Sequence, residues 1–184
     1  LVLTLTCVLD PGDEVIGFDP WFVMYPNLTG LSGAKFIAVD TAPTFVPDPN
    51  RVRSLITPKT KVMILNTPAN PTGAMWPLEV TQALAEMCLE KGILLISDEI
   101  YSMFSYDGPF ISPAQFNPQT LVIDGFSKSH AMTGWRVGRM SKRETLTCWG
   151  IAWTAITIAA TSSGWTAVCP AYIAARSSSV STSL

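Results

Sequence analysis

Three apolar runs of this sequence each stop just short of a polar residue with reactive chemistry. Asn70 comes soon after KVMILN (61–66), Asp98 directly after ILLIS (93–97), and Lys128 soon after LVID (121–124), with Arg136 a little further on. Such runs have the pattern of strands buried on both faces. In open α/β sheets the carboxyl ends of the strands are where ligands are held. A lysine at such an end is a nucleophile once deprotonated, and nearby positive charge, which Arg136 can supply, together with partial desolvation favours that neutral form. Taken singly, each residue has a plainer role. Asn70 would cap the turn at Pro71, Asp98 would N-cap the segment after its strand, Lys128 would be a solvated surface lysine, and Arg136 would sit in an ordinary salt bridge. The combination is what points to a site.

The elements that must carry these residues alternate. Residues 1–9 read as a helix stopped by Pro11-Gly12, and 14–18 as a strand leading to the loop Asp19-Pro20-Trp21-Phe22. A short helix over 23–32, despite Pro26, precedes a strand over 35–39. A Pro-rich connector (43–49) leads to a helix near 52–56. TPANPTG (67–73) is broken by two prolines and a glycine. The best helix runs over 77–91, with Pro77 in its first turn, Val80, Ala83, Leu84 and Met87 on one face, and Gly92 as its stop. Strands alternating with helices predict an α/β fold, a mainly parallel sheet flanked by helices.

Bulk properties narrow the field. The 184 residues suit one domain, 48% of them are apolar and 14% charged, and the net charge of -2 comes without any Lys/Arg cluster. No nucleic-acid partner is expected. The four cysteines form no CxxC pair, which argues against a zinc or thioredoxin-type motif and suits a reducing cytoplasm. Cys88, within a helical pattern, reads as a buried thiol. The single histidine, His130, cannot by itself build a His-based metal site or a His-dependent triad. No GxGxxG follows a strand, so a dinucleotide-binding domain is disfavoured. The opening apolar run is too short to span a membrane, and the Thr, Ser, Gly and Pro content of the uncharged stretch 145–175 argues against a span there.

Four segments, in order, carry a specific resemblance: DPGDEV (10–15), NTPANPTG (66–73), SDEIY (97–101) and GFSKSHAMTGWRVG (125–138). Over about residues 7–140 the chain resembles the class I/II, fold-type I aminotransferases that use pyridoxal 5'-phosphate (PLP), in the branch of prokaryotic-type aspartate and aromatic aminotransferases. The resemblance implies that Lys128, in SKxxxxTGxR, forms the Schiff base with the cofactor and later moves the substrate proton. It implies that Asp98 faces the pyridine nitrogen and keeps it protonated. Asn70 and Tyr101 then hydrogen-bond the ring's phenolic oxygen, and Ser127 and Arg136 bind the phosphate. Phe22 stacks on the ring, with the register between it and the adjacent Trp21 left open. His130 takes a packing or supporting role. The substrates would be an amino acid and a 2-oxo acid, and the family is usually homodimeric and cytoplasmic.

The resemblance also predicts what this stretch leaves out. Residues 1–140 correspond to part of the PLP-binding large domain, beginning after the turn that supplies further phosphate donors. Residues 141–184 depart from the family: after Glu144 the only charge is Arg176, no clear period is visible, and the tail reads as out of frame or poorly ordered. Weak or absent transaminase activity is therefore expected of this chain alone. Two alternatives stand beside transamination: another fold-type I PLP reaction such as a β-lyase or synthase, and a non-catalytic remnant with a structural or regulatory role.

Overall fold

The computed structural model describes residues 1–106, 108–143, 153–161 and 164–166. Its centre is one sheet of five parallel strands extended by three antiparallel ones. The parallel set comprises β1 (Glu14–Asp19), β2 (Lys35–Asp40), β3 (Thr60–Asn66), β4 (Leu94–Asp98) and β5 (Leu121–Gly125). β6 (Val137–Arg143), β7 (Trp153–Thr161) and β8 (Gly164–Thr166) continue it in the order β2-β1-β3-β4-β5-β6-β7-β8. The parallel sheet and its flanking helices match the expected fold class.

β3 shows why the apolar runs read as they do. Val62 and Ile64 pack on one face with Leu5, Leu9 and Leu28, beneath α1 (Val2–Val8) and α2 (Met24–Leu31). Met63 and Leu65 pack on the other with Val52, Leu84 and Cys88, beneath α3 (Pro49–Leu55) and α4 (Leu78–Lys91). Successive side chains point to opposite faces, so a strand covered on both sides must be apolar at every position. Cys88 is buried as expected, and burial pushes its thiol up to about 12.

α4 lies close to its predicted place. Pro77 is the N-cap rather than a first-turn residue, and Gly92 ends the helix in the left-handed region at φ 66. Its buried stripe is Thr81, Leu84, Ala85, Met87 and Cys88. Val80 packs at the margin, while Ala83 is only half-buried and Ala85 takes the inner position instead.

Part of 141–184 continues the sheet. β7 pairs with β6 from Val137↔Ala159 to Arg143↔Trp153. Its sequence WTAITIAAT lacks alternation but is rich in β-branched Thr and Ile, which favour extended backbone. β8 follows it, paired with β7 from Ala159↔Thr166 to Thr161↔Gly164, and the other residues of 144–184 lie outside the described residues. No helix among the described residues is long and apolar enough to cross a membrane.

Candidate active site

Parallel pairing sets the site. Asn66 is in register with Asp98, and Asp98 with Ile123, so the carboxyl ends of β3, β4 and β5 lie side by side. The turn that holds Asn70, the strand end that is Asp98 and the short helix α5 (Phe126–Ser129) that carries Lys128 all leave from this edge. A residue near 70, one at 98 and one near 128 thus become neighbours through topology rather than through sequence.

Asn66 ties two of these segments together. Its carboxamide Nδ2 donates to the Asp98 carbonyl at 3.1 Å, and its Oδ1 accepts from the Asn70 backbone N–H at 2.8 Å. The prolyl bonds at Thr67-Pro68 and Asn70-Pro71, on either side of this contact, are both cis. The Asn70 side chain makes no hydrogen bond among the described residues.

The Asp98 carboxylate is held from within. Tyr25 Oη, projecting from α2, donates to its Oδ2 at 2.7 Å, and the Ile100 N–H approaches Oδ1 at 3.4 Å. Burial pushes Asp98 above the usual carboxylate range, while those two donors pull it back. The Tyr25 phenol is driven upward, first by its burial and then by Asp98 beside it. Asp98 has no ion-pair partner among the described residues. Next to it, buried Glu99 accepts from Ser97 Oγ at 2.9 Å and Ser112 Oγ at 2.5 Å, and burial raises it as well. Glu99 thereby fastens the loop after Asp98 to the strand that carries it.

The lysine side is looser. Lys128 is exposed, with its Nζ 5.7 Å from the centre of the Tyr101 ring, a cation–π distance. Ser129 Oγ lies 2.7 Å from His130 Nδ1, and His130 packs edge-on against Phe126. Arg136 adopts a left-handed backbone, φ 52, and its Nη1 donates to the Thr133 carbonyl at 3.1 Å. Ser127, Arg136, Arg139 and Asp124 line a cleft of about 230 Å³ over the paired strands β5 and β6.

The aromatic pair of the first loop divides. Trp21 packs edge-on against Phe36 at 5.2 Å and joins the α1/α2-side core. Phe22 remains exposed, 5.6 Å from the ring of Tyr25 and edge-on to it. The fold therefore gathers Asn70, Asp98, Tyr101, Ser127, Lys128 and Arg136 at one sheet edge and sets Phe22 against the tyrosine that holds Asp98. Sequence reasoning missed Tyr25 and Asn66. Asn66 left one trace, a polar residue closing a buried run, but nothing in the local sequence of Tyr25 points to an aspartate 73 positions away.

A family-wide sequence pattern described as aminotransferase class I and II matches residues 1–180. The chain belongs to that family. Over 134 residues it is 48% identical to the aspartate/prephenate aminotransferase of Thermus thermophilus, an alignment that takes in 71% of this chain and 35% of that protein. It is 43% identical over 143 residues to an arginine–pyruvate transaminase of Pseudomonas aeruginosa, covering 75% of this chain and 36% of the relative. Among solved structures, the Thermus thermophilus aspartate aminotransferase with maleate superposes with a TM-score of 0.74 at 46% identity, over 76% of this chain and 37% of that one. The chain thus spans little more than a third of the length of these relatives. Members of this family work with PLP. No cluster of metal-ligating side chains occurs among the described residues.

Proposed function

We propose that this chain is the cofactor-holding part of a cytoplasmic PLP-dependent aminotransferase that moves an amino group between an amino acid and a 2-oxo acid. The observation that carries the reading is the delivery of Asp98 and Lys128 to the carboxyl ends of adjacent parallel strands, with the ring of Tyr101 beneath the Lys128 amine. The donor set fits a phosphorylated pyridine. A desolvated carboxylate without an ion-pair partner suits a cationic ring nitrogen, and a hydroxyl with a guanidinium at the far side suits a phosphate.

Bound there, PLP would supply an electron sink for the α-carbon of the substrate. The chain's own residues have separate tasks. Asp98, aimed by Tyr25, holds the ring-nitrogen proton in place. Asn70 and Tyr101 donate to the phenolic oxygen, and Ser127 and Arg136 grip the phosphate. Phe22 covers a ring face, the position that its exposure beside Tyr25 favours over Trp21, whose ring is committed to Phe36. Lys128 Nζ would be the base that moves the proton between the substrate α-carbon and the cofactor C4′ carbon. The cysteine spacing, with no CxxC pair, supports the cytoplasmic setting.

The test is spectroscopic. The purified chain, mixed with PLP, should gain a visible absorption band from the Lys128 imine, with little or no turnover of an added amino acid and 2-oxo acid. A chain with no band, or a band that survives in Lys128→Ala, would sink the reading.

A further inference from the structure

The cleft over the β5/β6 pair holds a cation that the roles above leave unassigned. Arg139, on β6, lines it together with Ser127 and Arg136, and Asp124 faces it from β5. Arg139 Nη2 lies 3.4 Å from Asp124 Oδ2, with 52% of the arginine side chain and 29% of the aspartate side chain exposed. That is long for a charge-assisted hydrogen bond, which closes to about 2.7–2.9 Å when well made. A half-exposed pair of this kind is weakly held. Asp124 has a second partner in the Gly125 N–H, 2.6 Å from its Oδ1, so it keeps its place without the arginine. Arg136 has one guanidinium nitrogen engaged by the Thr133 carbonyl and the others free among the described residues.

The floor of the cleft is glycine. A Cβ on Gly125 would press on the Val137 carbonyl at 3.3 Å, and one on Gly138 would stand 3.4 Å from the Asp124 carbonyl. Here β5 and β6 approach closely and leave the space above them open. The side-chain charges at this wall are two guanidinium cations and one carboxylate, with the backbone of Leu1 beside them. Side chains thus offer a ligand one net positive charge, rising to two if the carboxylate is removed.

We infer that Arg139 is a second phosphate-binding cation of this cleft, held in reserve by Asp124 and transferred from that carboxylate to a phosphate dianion when one binds beside Ser127 and Arg136. The inference rests on the proposed PLP reading for the identity of the phosphate, but not for the chemistry of the cleft. The same exchange would serve inorganic phosphate. Its mark is that the two members of one ion pair act in opposite directions. Losing Arg139 removes a ligand of the anion, whereas neutralising Asp124 frees that ligand and removes a repelling charge.

The experiment compares the full chain with Arg139→Gln and Asp124→Asn, titrating each with PLP, with pyridoxal lacking the phosphate, and with inorganic phosphate. PLP and pyridoxal are followed by the Lys128-dependent band, and phosphate by thermal shift. Arg139→Gln should weaken PLP and phosphate by about tenfold, as expected for a hydrogen bond to a charged group, and leave pyridoxal unchanged. Asp124→Asn should tighten PLP and phosphate about threefold, a charge effect of surface size. Equal changes for PLP and pyridoxal, or both variants moving PLP the same way, would overturn the inference while the PLP reading stands. If the parent shows no Lys128-dependent band, the PLP reading fails and the phosphate titration alone decides. Opposite shifts in the two variants would still support the cleft, and no phosphate binding by the parent would overturn it.

Discussion

The aspartate side and the lysine side of this site are built in different ways. Around Asp98 the polar groups are already joined to one another, through Tyr25, Asn66 and the backbone of the Asn70 turn, and Glu99 is fastened by two serines. On the other side Phe126, Lys128 and His130 are exposed, and the lysine amine meets a ring face 5.7 Å away. The first region grows out of a doubly covered sheet, where an unmet polar group is costly and every donor must find a partner. The second follows the last parallel strand onto a four-residue helix with no buried residue. A site that must hold a ring firmly while exchanging one bond benefits from this division. The fixed side sets the orientation, and the open side does the moving.

The largest test of that division is Lys128→Ala. It should abolish the visible PLP band while leaving the melting temperature of the cofactor-free chain nearly unchanged, because an exposed side chain contributes little to stability. A marked loss of stability would mean that the lysine side is structural too. Asp98→Asn should act in the opposite sense on the empty chain. A carboxyl raised by burial stabilises the fold in its protonated form, so its contribution is full at acid pH and is lost as pH rises through the raised folded value. The variant removes that loss. Its stability advantage over the parent should therefore open with rising pH in denaturant titrations, while its PLP binding weakens by about 1.5–3 kcal/mol, the scale of a hydrogen bond to a charged group. Equal stability of the two chains from acid to neutral pH would contradict the account of Asp98.

Tyr25 shows what sequence could and could not supply. The buried strands and α4 were legible because a doubly covered strand and a one-sided helix impose composition and period on the residues that form them. The placing of Asn70, Asp98 and Lys128 just past strand ends was legible because their spacing to those strands is local. Tyr25 was not, since its contact with Asp98 depends on α2 packing against the end of a strand formed much later in the chain. The Trp21/Phe22 register was unreadable for a related reason. In a loop no period assigns one neighbour to the core, and only the presence of Phe36 over Gly17 gives Trp21 a partner. Tyr25→Phe should weaken PLP binding by about 1 kcal/mol, as expected for one hydrogen bond lost. It should also move the Asp98 titration further upward, because it removes a donor that favours the charged carboxylate. A carbon-detected NMR titration of the Asp98 carboxyl would read this, and no movement would show that Tyr25 only packs.

The smallest expected effect separates the two aromatics. If Phe22 covers the cofactor ring, Phe22→Ala should weaken PLP binding by about 0.5–1.5 kcal/mol, the scale of an aromatic stacking contact, with little change in melting temperature. Trp21→Ala should do the reverse, because its ring packs edge-on against Phe36 in the core. The pair thus repeats the larger contrast within two adjacent residues, one committed to the fold and one left at its surface. Both variants are to be measured against PLP and against denaturant. A cofactor loss in Trp21→Ala larger than in Phe22→Ala, at equal stability, would reverse the register and move the ring-covering role back to the tryptophan.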